Sequence, residues 1–288
     1  MSSSDTRPVS AGGERTNPPV SGGGERSNPP LGAGGEPSHA GQGSGPARHS
    51  LHRRLRGTWA LFRRELSSFF QTPVAYVVGV VFLAVTATLF FSVFFLFDRA
   101  EMRQFFGLLP LLLALLMPAL AMRVVAEERR RGTWEVLTTL PIRNGEIVVA
   151  KFAAVLVTGL FVLLPTVIFV GTVSSFGPLD MGPVAGGYLG AVLLTAVYSA
   201  VGVFASSVAR NETVALILGL VLALGLALME GFLVLIPAAA VSVVEYLSLG
   251  YHFSGFTRGV IDSRSVVYLV TLTAAFLMLA RYRLDRIR

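Results

Sequence analysis

Six long runs of apolar residues fill most of the sequence between residues 74 and 280. A helix of about 20 apolar residues is long enough to cross the ~30 Å hydrocarbon core of a bilayer. The runs cover residues 74–97, 105–122, 147–173, 185–208, 213–230 and 266–280. The sequence therefore predicts an all-α polytopic membrane protein with six transmembrane helices.

The composition agrees with this fold class, since 53% of the residues are hydrophobic and only 14% are charged. Soluble domains carry about 25% charged residues. The formal net charge of +7 would suit nucleic acid, but the arginines are spread along the edges of the spans, so we expect lipid headgroups and no nucleic acid as their partners. The chain has no cysteine, which excludes disulfides and cysteine nucleophiles.

Residues 1–50 differ from the rest, because 27 of them are Gly, Pro or Ser. Such a segment buries too little apolar surface to fold, so we predict a disordered tail ahead of a transmembrane domain at residues 51–288. No apolar run follows the first methionine closely, so we expect no cleaved signal peptide.

Residues 51–71 have the pattern of an amphipathic helix. Its apolar positions recur at steps of three and four, at Leu51, Leu55, Trp59, Phe62, Leu66 and Phe70. The arginines lie mostly off that stripe, at positions 53, 54, 56, 63 and 64. This pattern favours a helix in the headgroup layer, with an ordinary soluble helix as the alternative.

The distribution of basic residues predicts the orientation. With six spans, both termini share one side, which carries 16 Arg and Lys residues outside the tail, against four on the other side. By the positive-inside rule, both termini and the loop between the second and third spans are cytoplasmic.

That loop reads "AEERRRGTWEVLTTLPIRNGE" from residue 126. Thr133 can cap a short helix, Glu135 suits its positive end, and Pro141 stops it. An apolar stripe of Thr133, Val136, Leu137 and Leu140 would then lie on one face. The stripe either packs on the protein's own surface or binds a partner.

Four ionisable residues lie near the ends of the spans. Glu230 reaches the outer headgroups, which favours a capped helix end over proton or substrate chemistry. Lys151 is expected to be an interface anchor rather than a buried charge, and His252 a polar surface residue of an external loop. Pro237 and Glu245 interrupt residues 231–249, which favours re-entrant helices over a seventh crossing.

Other functional classes find little support. A membrane-embedded enzyme would need paired carboxylates, a histidine cluster or an activated serine, and neither His-Glu-x-x-His nor Gly-x-Ser-x-Gly occurs. An ion-driven secondary transporter would be expected to show broken helices in both halves, and the pattern breaks only in the second.

The stretch "EERRRGTWEVLTTLPI" and the following "EIVVAKF" resemble the signature of bacterial ABC-2 type transporter permeases. The matching positions are Glu128, Gly132, Thr133, Glu135, Leu137, Pro141 and Lys151. Ala150 replaces a usual Gly, and Arg143, Asn144 and Gly145 stand where Ser-Asp and an aromatic residue are common. Near the carboxyl end, "YHFSGFTRGVIDSRSVVYLVTLTAAF" is similar to the last external loop and span of the subgroup that includes gliding-motility-associated permeases.

The resemblance implies the transmembrane permease subunit of an ABC transporter in the bacterial inner membrane, expected to be an exporter. Two six-span subunits, as a homodimer or heterodimer, would enclose the path. A separate ATPase subunit would hold ATP and Mg²⁺, so this chain itself would be no enzyme and hold no cofactor. The residues agree, because a P-loop needs Gly-x-x-x-x-Gly-Lys-Ser/Thr, and the only lysine, Lys151, is followed by Phe152.

The resemblance also assigns candidate residues. The family's coupling helix corresponds to residues 132–140, and the interfacial helix corresponds to residues 51–71. The ATPase-coupling residues would be Glu128, Gly132, Thr133, Trp134, Glu135, Val136, Leu137, Leu140 and Pro141. The interfacial helix would use Arg53, Arg54, Trp59, Arg63 and Arg64. The interruption of residues 231–249 adds the hypothesis of an outer gate, with Glu230, Pro237 and Glu245 as its candidate residues.

Overall fold

The computed structural model describes residues 46–97, 101–132, 143–231 and 246–286, with side chains from residue 57 onward except at positions 74 and 95–97. Within these ranges the regular structure is entirely helical, which confirms the predicted all-α class. The α-helices are α1 (Pro46–Gln71), α2 (Pro73–Phe97), α3 (Arg103–Ala121), α4 (Arg123–Arg130), α5 (Asn144–Leu163), α6 (Val167–Ser174), α7 (Met181–Val208), α8 (Glu212–Leu228), α9 (Leu249–Thr257) and α10 (Ser263–Asp285).

Six helical segments of the described chain are long and apolar enough to cross a membrane, as predicted. They are Ala75–Phe94, Arg103–Arg130, Asn144–Ser174, Met181–Val208, Glu212–Gly231 and Ser263–Asp285. The second segment joins α3 to α4 at Met122, and the third joins α5 to α6 through a 3₁₀ turn at Leu164–Thr166. The sixth has 23 residues and extends beyond the predicted run at both ends.

Short polar side chains act as N-caps at the start of three of these segments. The carboxylate of Asp180 accepts from the N–H of Gly182 at the start of α7, and that of Asp262 accepts from Arg264 at the start of α10. The Asn211 side chain accepts from Val214 at the start of α8. Each cap satisfies an N–H that the first helical turn leaves unpaired, so these boundaries follow from local sequence.

Helix α7 is the centre of the bundle and packs against α3, α5, α8, α9 and α10. Glycines bring its backbone close to its neighbours. A Cβ atom at Gly186 would lie 2.5 Å from the carbonyl oxygen of Phe256, and one at Gly202 would lie 2.5 Å from the Cβ atom of Ala121. Small residues allow the backbones of membrane helices to come into close contact, which stabilises their association where no hydrophobic driving force exists.

Helix α1 begins at Pro46, five residues before the predicted start, and packs along α5. Its buried face includes Leu61, whereas Trp59 is 64% exposed. The contact with α5 thus covers a strip that includes Leu61 and leaves Trp59 exposed, and the place of Trp59 at the membrane interface stays a prediction. Arg63 and Arg64 are exposed, as expected of the polar face. Arg53 and Arg54 belong to α1, but their side chains lie outside the described residues.

His252 lies in α9 and is 2% exposed, so the expectation of a surface histidine was wrong. Its Nδ1 atom is 3.0 Å from Oγ of Ser265, and its Nε2 atom is 2.8 Å from the carbonyl oxygen of Tyr246. The ring also stacks on Tyr268 at 4.2 Å between centroids. Two hydrogen bonds satisfy both nitrogens, which is what permits burial.

Candidate coupling site

Lys151 is a fully buried charge at the end of the bundle where α4, α5 and the second half of α1 meet. Its Nζ atom lies 2.9 Å from a carboxylate oxygen of Glu65 in α1 and 2.9 Å from one of Glu128 in α4. It also donates to the carbonyl oxygen of Val124 at 2.6 Å. Two of its ammonium N–H groups thus donate hydrogen bonds, to Glu65 and to Val124, and Glu128 supplies a second negative charge. We call Glu65, Glu128 and Lys151 the lysine triad.

The expectation of an interface anchor at Lys151 was therefore wrong. An isolated ammonium group is costly to bury, but paired and hydrogen-bonded charges are tolerated. The side chains of Glu65 and Glu128 are themselves only 13% and 15% exposed. The triad consequently joins three helices through charges that water reaches poorly.

A serine of α7 occupies the junction between α3 and α4. The Oγ atom of Ser206 accepts from the backbone N–H groups of Val125 and Ala126, at 3.0 and 3.1 Å. The same hydroxyl donates to the carbonyl oxygen of Met122 at 3.0 Å. Ser206 thus takes part in the first turn of α4 and fixes α4 to α7.

Arg129 connects α4 to the end of α7, and Glu212 connects α4 to the start of α8. Nη1 of Arg129 donates to the carbonyl oxygens of Ser207 and Ala209, at 3.1 and 3.0 Å. These oxygens close α7, where a positive charge is favoured. Glu212, in the first turn of α8, lies 3.1 Å from Nε of Arg123 and 3.5 Å from Nη2 of Arg130. Helix α4 is thereby held on several sides.

Gly132 follows α4 with φ of +71°, in the left-handed region. Glycine adopts this conformation without the penalty of a Cβ atom and commonly ends helices. This explains the Gly of the matched signature. The coupling candidates Thr133, Trp134, Glu135, Val136, Leu137, Leu140 and Pro141 lie outside the described residues.

The chain is described again from Arg143, at the start of α5. The Nδ2 atom of Asn144 donates to Oδ1 of Asp285 at 2.7 Å. Because Asp285 ends α10, this bond joins the third segment to the sixth. The segment 133–142 therefore runs between two fixed ends, α4 and α5.

Of the outer-gate candidates, only Glu230 is described. Its Oε2 atom lies so close to Gly250 that a Cβ atom there would be 1.9 Å away. Gly250 belongs to the first turn of α9, where a carboxylate is favoured by the helix dipole. The roles predicted for Glu230, as a helix end and as part of an outer gate, stay predictions. Pro237 and Glu245 lie outside the described residues.

Several residues of the site escaped sequence analysis. Glu65 was hidden among the arginines of α1, although it is the one acidic residue of residues 51–71. Ser206 and Glu212 gave no local signal, since their partners lie about 80 residues away in sequence. Lys151 did give a signal, because an ionisable group inside an apolar run is expected to be functional.

Six segments of membrane-spanning length, in a bundle whose one end carries buried ion pairs, define a polytopic membrane protein. The family model of the ABC-2 type transporter matches residues 56–268, so the chain belongs to that family. It is a membrane permease component of an ABC transporter, and not itself an ATPase. ABC-2 permeases in general work with ABC ATPase subunits. No curated protein matches the chain by sequence.

Proposed function

We propose that a separate ABC ATPase binds residues 132–140 and drives this permease by displacing α4. The observation that carries the proposal is the set of buried contacts that hold α4. They reach α1 and α5 through the lysine triad, α7 through Ser206 and Arg129, and α8 through Glu212.

These contacts favour movement of α4 together with its neighbours. Breaking the triad would leave a buried charge without its partner, at a cost of about 3–5 kcal/mol. A push on the coupling segment therefore displaces α3 and α5 with α4 rather than separating them. The second and third segments would tilt as rigid bodies and reset the transport path.

The proposed orientation places the charged end of the bundle in the cytoplasm. The 16 basic residues against four support cytoplasmic termini, and ATP is available to an ATPase on that side. The lysine triad, the coupling segment and α10's final turn all belong to this end. The proposed location is the bacterial inner membrane.

Helix α1 is proposed to lie at the membrane interface, with Trp59, Arg63 and Arg64 towards the headgroups. Their exposure supports this placement. A second permease subunit, identical or related, would complete the path, and export is the proposed direction. Glu230, Pro237 and Glu245 are the proposed outer gate.

The deciding experiment replaces one residue of the coupling segment. Leu137→Asp places a charge on the predicted apolar stripe, whereas Thr138→Asp places the same charge on the opposite side of the predicted helix. ATP hydrolysis is measured with the permease and a P-loop ATPase encoded beside it, co-expressed and reconstituted in liposomes. We expect Leu137→Asp to abolish permease-dependent stimulation at unchanged expression, because a buried unpaired charge weakens a protein contact strongly.

Thr138→Asp is expected to keep most of the stimulation. Equal stimulation by wild type and Leu137→Asp would refute docking through this stripe. Transport that continues in cells lacking any such ATPase would refute the ATP-driven mechanism itself.

A further inference from the structure

A groove of about 610 Å³ lies between α1, the start of α5 and the end of α10. Two arginines, Arg143 and Arg281, line its polar part. Its apolar part includes Val149, Leu277 and Met278. Val149 is 53% exposed and Met278 is 70% exposed, so this part continues onto the outer surface of two membrane segments.

One carboxylate, that of Glu146, lines the groove, and that of Asp285 lies beside it; both have partners. Asp285 accepts a hydrogen bond from Asn144 at 2.7 Å and lies 3.7 Å from Nε of Arg281. Glu146 accepts from the backbone N–H of Arg143 at 3.4 Å, at the start of α5. A carboxylate in such a position is stabilised by the helix dipole. Both carboxylates thus accept hydrogen bonds from residues at the start of α5.

The stem of Arg281 lies along the backbone of Gly145. A Cβ atom at Gly145 would be 3.4 Å from Cδ of Arg281. Arg143 and Gly145 line the groove, and Asn144 joins α5 to α10. The groove is therefore bordered by the residues that join the start of α5 to the end of α10.

We propose that this groove binds one anionic glycerophospholipid, with its phosphate between the guanidinium groups of Arg143 and Arg281. Arginine forms paired hydrogen bonds with phosphate oxygens, and basic pockets between membrane helices hold anionic headgroups. The acyl chains extend over Val149 and Met278 into the bilayer. The volume falls within the usual range of about 300–1,000 Å³ for ligand pockets.

An anionic headgroup fits better than a zwitterionic one. The amine of a zwitterionic lipid would require a carboxylate partner, and the one carboxylate that lines the groove, Glu146, accepts from the start of α5 and faces two arginines. The bound lipid would connect the end of the coupling segment to α10. This proposal depends only on insertion in a bilayer, so it stands or falls independently of the ATPase.

The test measures lipid retention by the purified full-length protein. Delipidated protein in detergent is titrated with phosphatidylglycerol or with phosphatidylcholine of the same acyl chains, and bound lipid is counted by native mass spectrometry. Wild type is expected to prefer phosphatidylglycerol on the order of tenfold or more, since each arginine near a headgroup contributes about fivefold. The preference is expected to weaken as salt rises.

Three double variants separate the effect of charge from an effect on folding. Arg143→Gln with Arg281→Gln is expected to remove the preference, and Arg143→Lys with Arg281→Lys is expected to keep it within a few fold. Arg258→Gln with Arg264→Gln removes the same charge at the other end of the bundle and is expected to bind as wild type does. The proposal is overturned if wild type shows no preference, if the first pair keeps it, or if the third pair loses it.

Discussion

The carboxylate of Glu65 lies 2.9 Å from the Nζ atom of Lys151, which belongs to the third membrane segment and is fully buried. Helix α1 is therefore attached to the bundle by a buried ion pair as well as by apolar packing. The second carboxylate on the same ammonium group, from Glu128, extends this attachment to α4. A displacement of α4 is thus opposed by contacts in two other helices.

Removing the charge of Lys151 should destabilise the protein strongly. Lys151→Met leaves the carboxylates of Glu65 and Glu128 buried near each other, and breaking a buried pair costs about 3–5 kcal/mol. We expect a large fall in melting temperature in detergent. Adding Glu65→Gln and Glu128→Gln should restore most of it, because no charge then remains unpaired. Arg131→Gln, in an exposed pair with Glu127, should cost less than about 1 kcal/mol; an equal loss would argue against burial as the cause.

Ser206→Ala should loosen the junction between α3 and α4. The change removes the acceptor of two buried N–H groups, at about 1–3 kcal/mol for each group that stays unsatisfied. Ser199→Ala is the matched control, since that buried hydroxyl donates only to the carbonyl oxygen of Thr195 in its own helix. Melting temperatures compare the two variants. The assignment of Ser206 fails if both behave alike.

Arg129→Gln should destabilise the contact of α4 with the end of α7. Hydrogen bonds from a charged group contribute about 1.5–3 kcal/mol, and Arg129 makes two to backbone carbonyls. The neighbouring Arg130→Gln should cost under about 1 kcal/mol, because its side chain is 61% exposed and lies 3.5 Å from Glu212. Denaturant unfolding in detergent measures both. A larger effect at Arg130 would contradict this ranking.

Gly202→Ala should push α7 away from α3. The added Cβ atom would lie 2.5 Å from the Cβ atom of Ala121, and such overpacking costs about 1–3 kcal/mol. Gly225→Ala has no atom within 4 Å of its added Cβ, so it should be neutral or stabilise α8 by up to about 1 kcal/mol. Thermal unfolding of the two variants distinguishes close packing from helix propensity, and the same sign for both would rule out the packing argument.

Much of the fold was predictable because each membrane segment is a continuous run of apolar residues that can be recognised in the sequence. The run 213–230 predicted the fifth segment within a few residues, and Asn211 marks its start as an N-cap. The three-and-four spacing of α1 indicated a helix, but it did not single out Leu61, which the structure buries. Periodicity identifies an amphipathic helix, whereas the packing partner, here α5, selects which strip is covered.

The sequence alone determined the number of membrane segments and the family signature around Gly132. Both depend on residues adjacent in the chain, since the length of an apolar run is compared with a fixed bilayer thickness and a left-handed turn requires glycine at one position. Only the tertiary structure decided that Lys151 and His252 are buried and that Ser206 joins α4 to α7. These outcomes depend on partners brought from distant helices, because a buried polar group is tolerated only where folding supplies its hydrogen bonds or opposite charge.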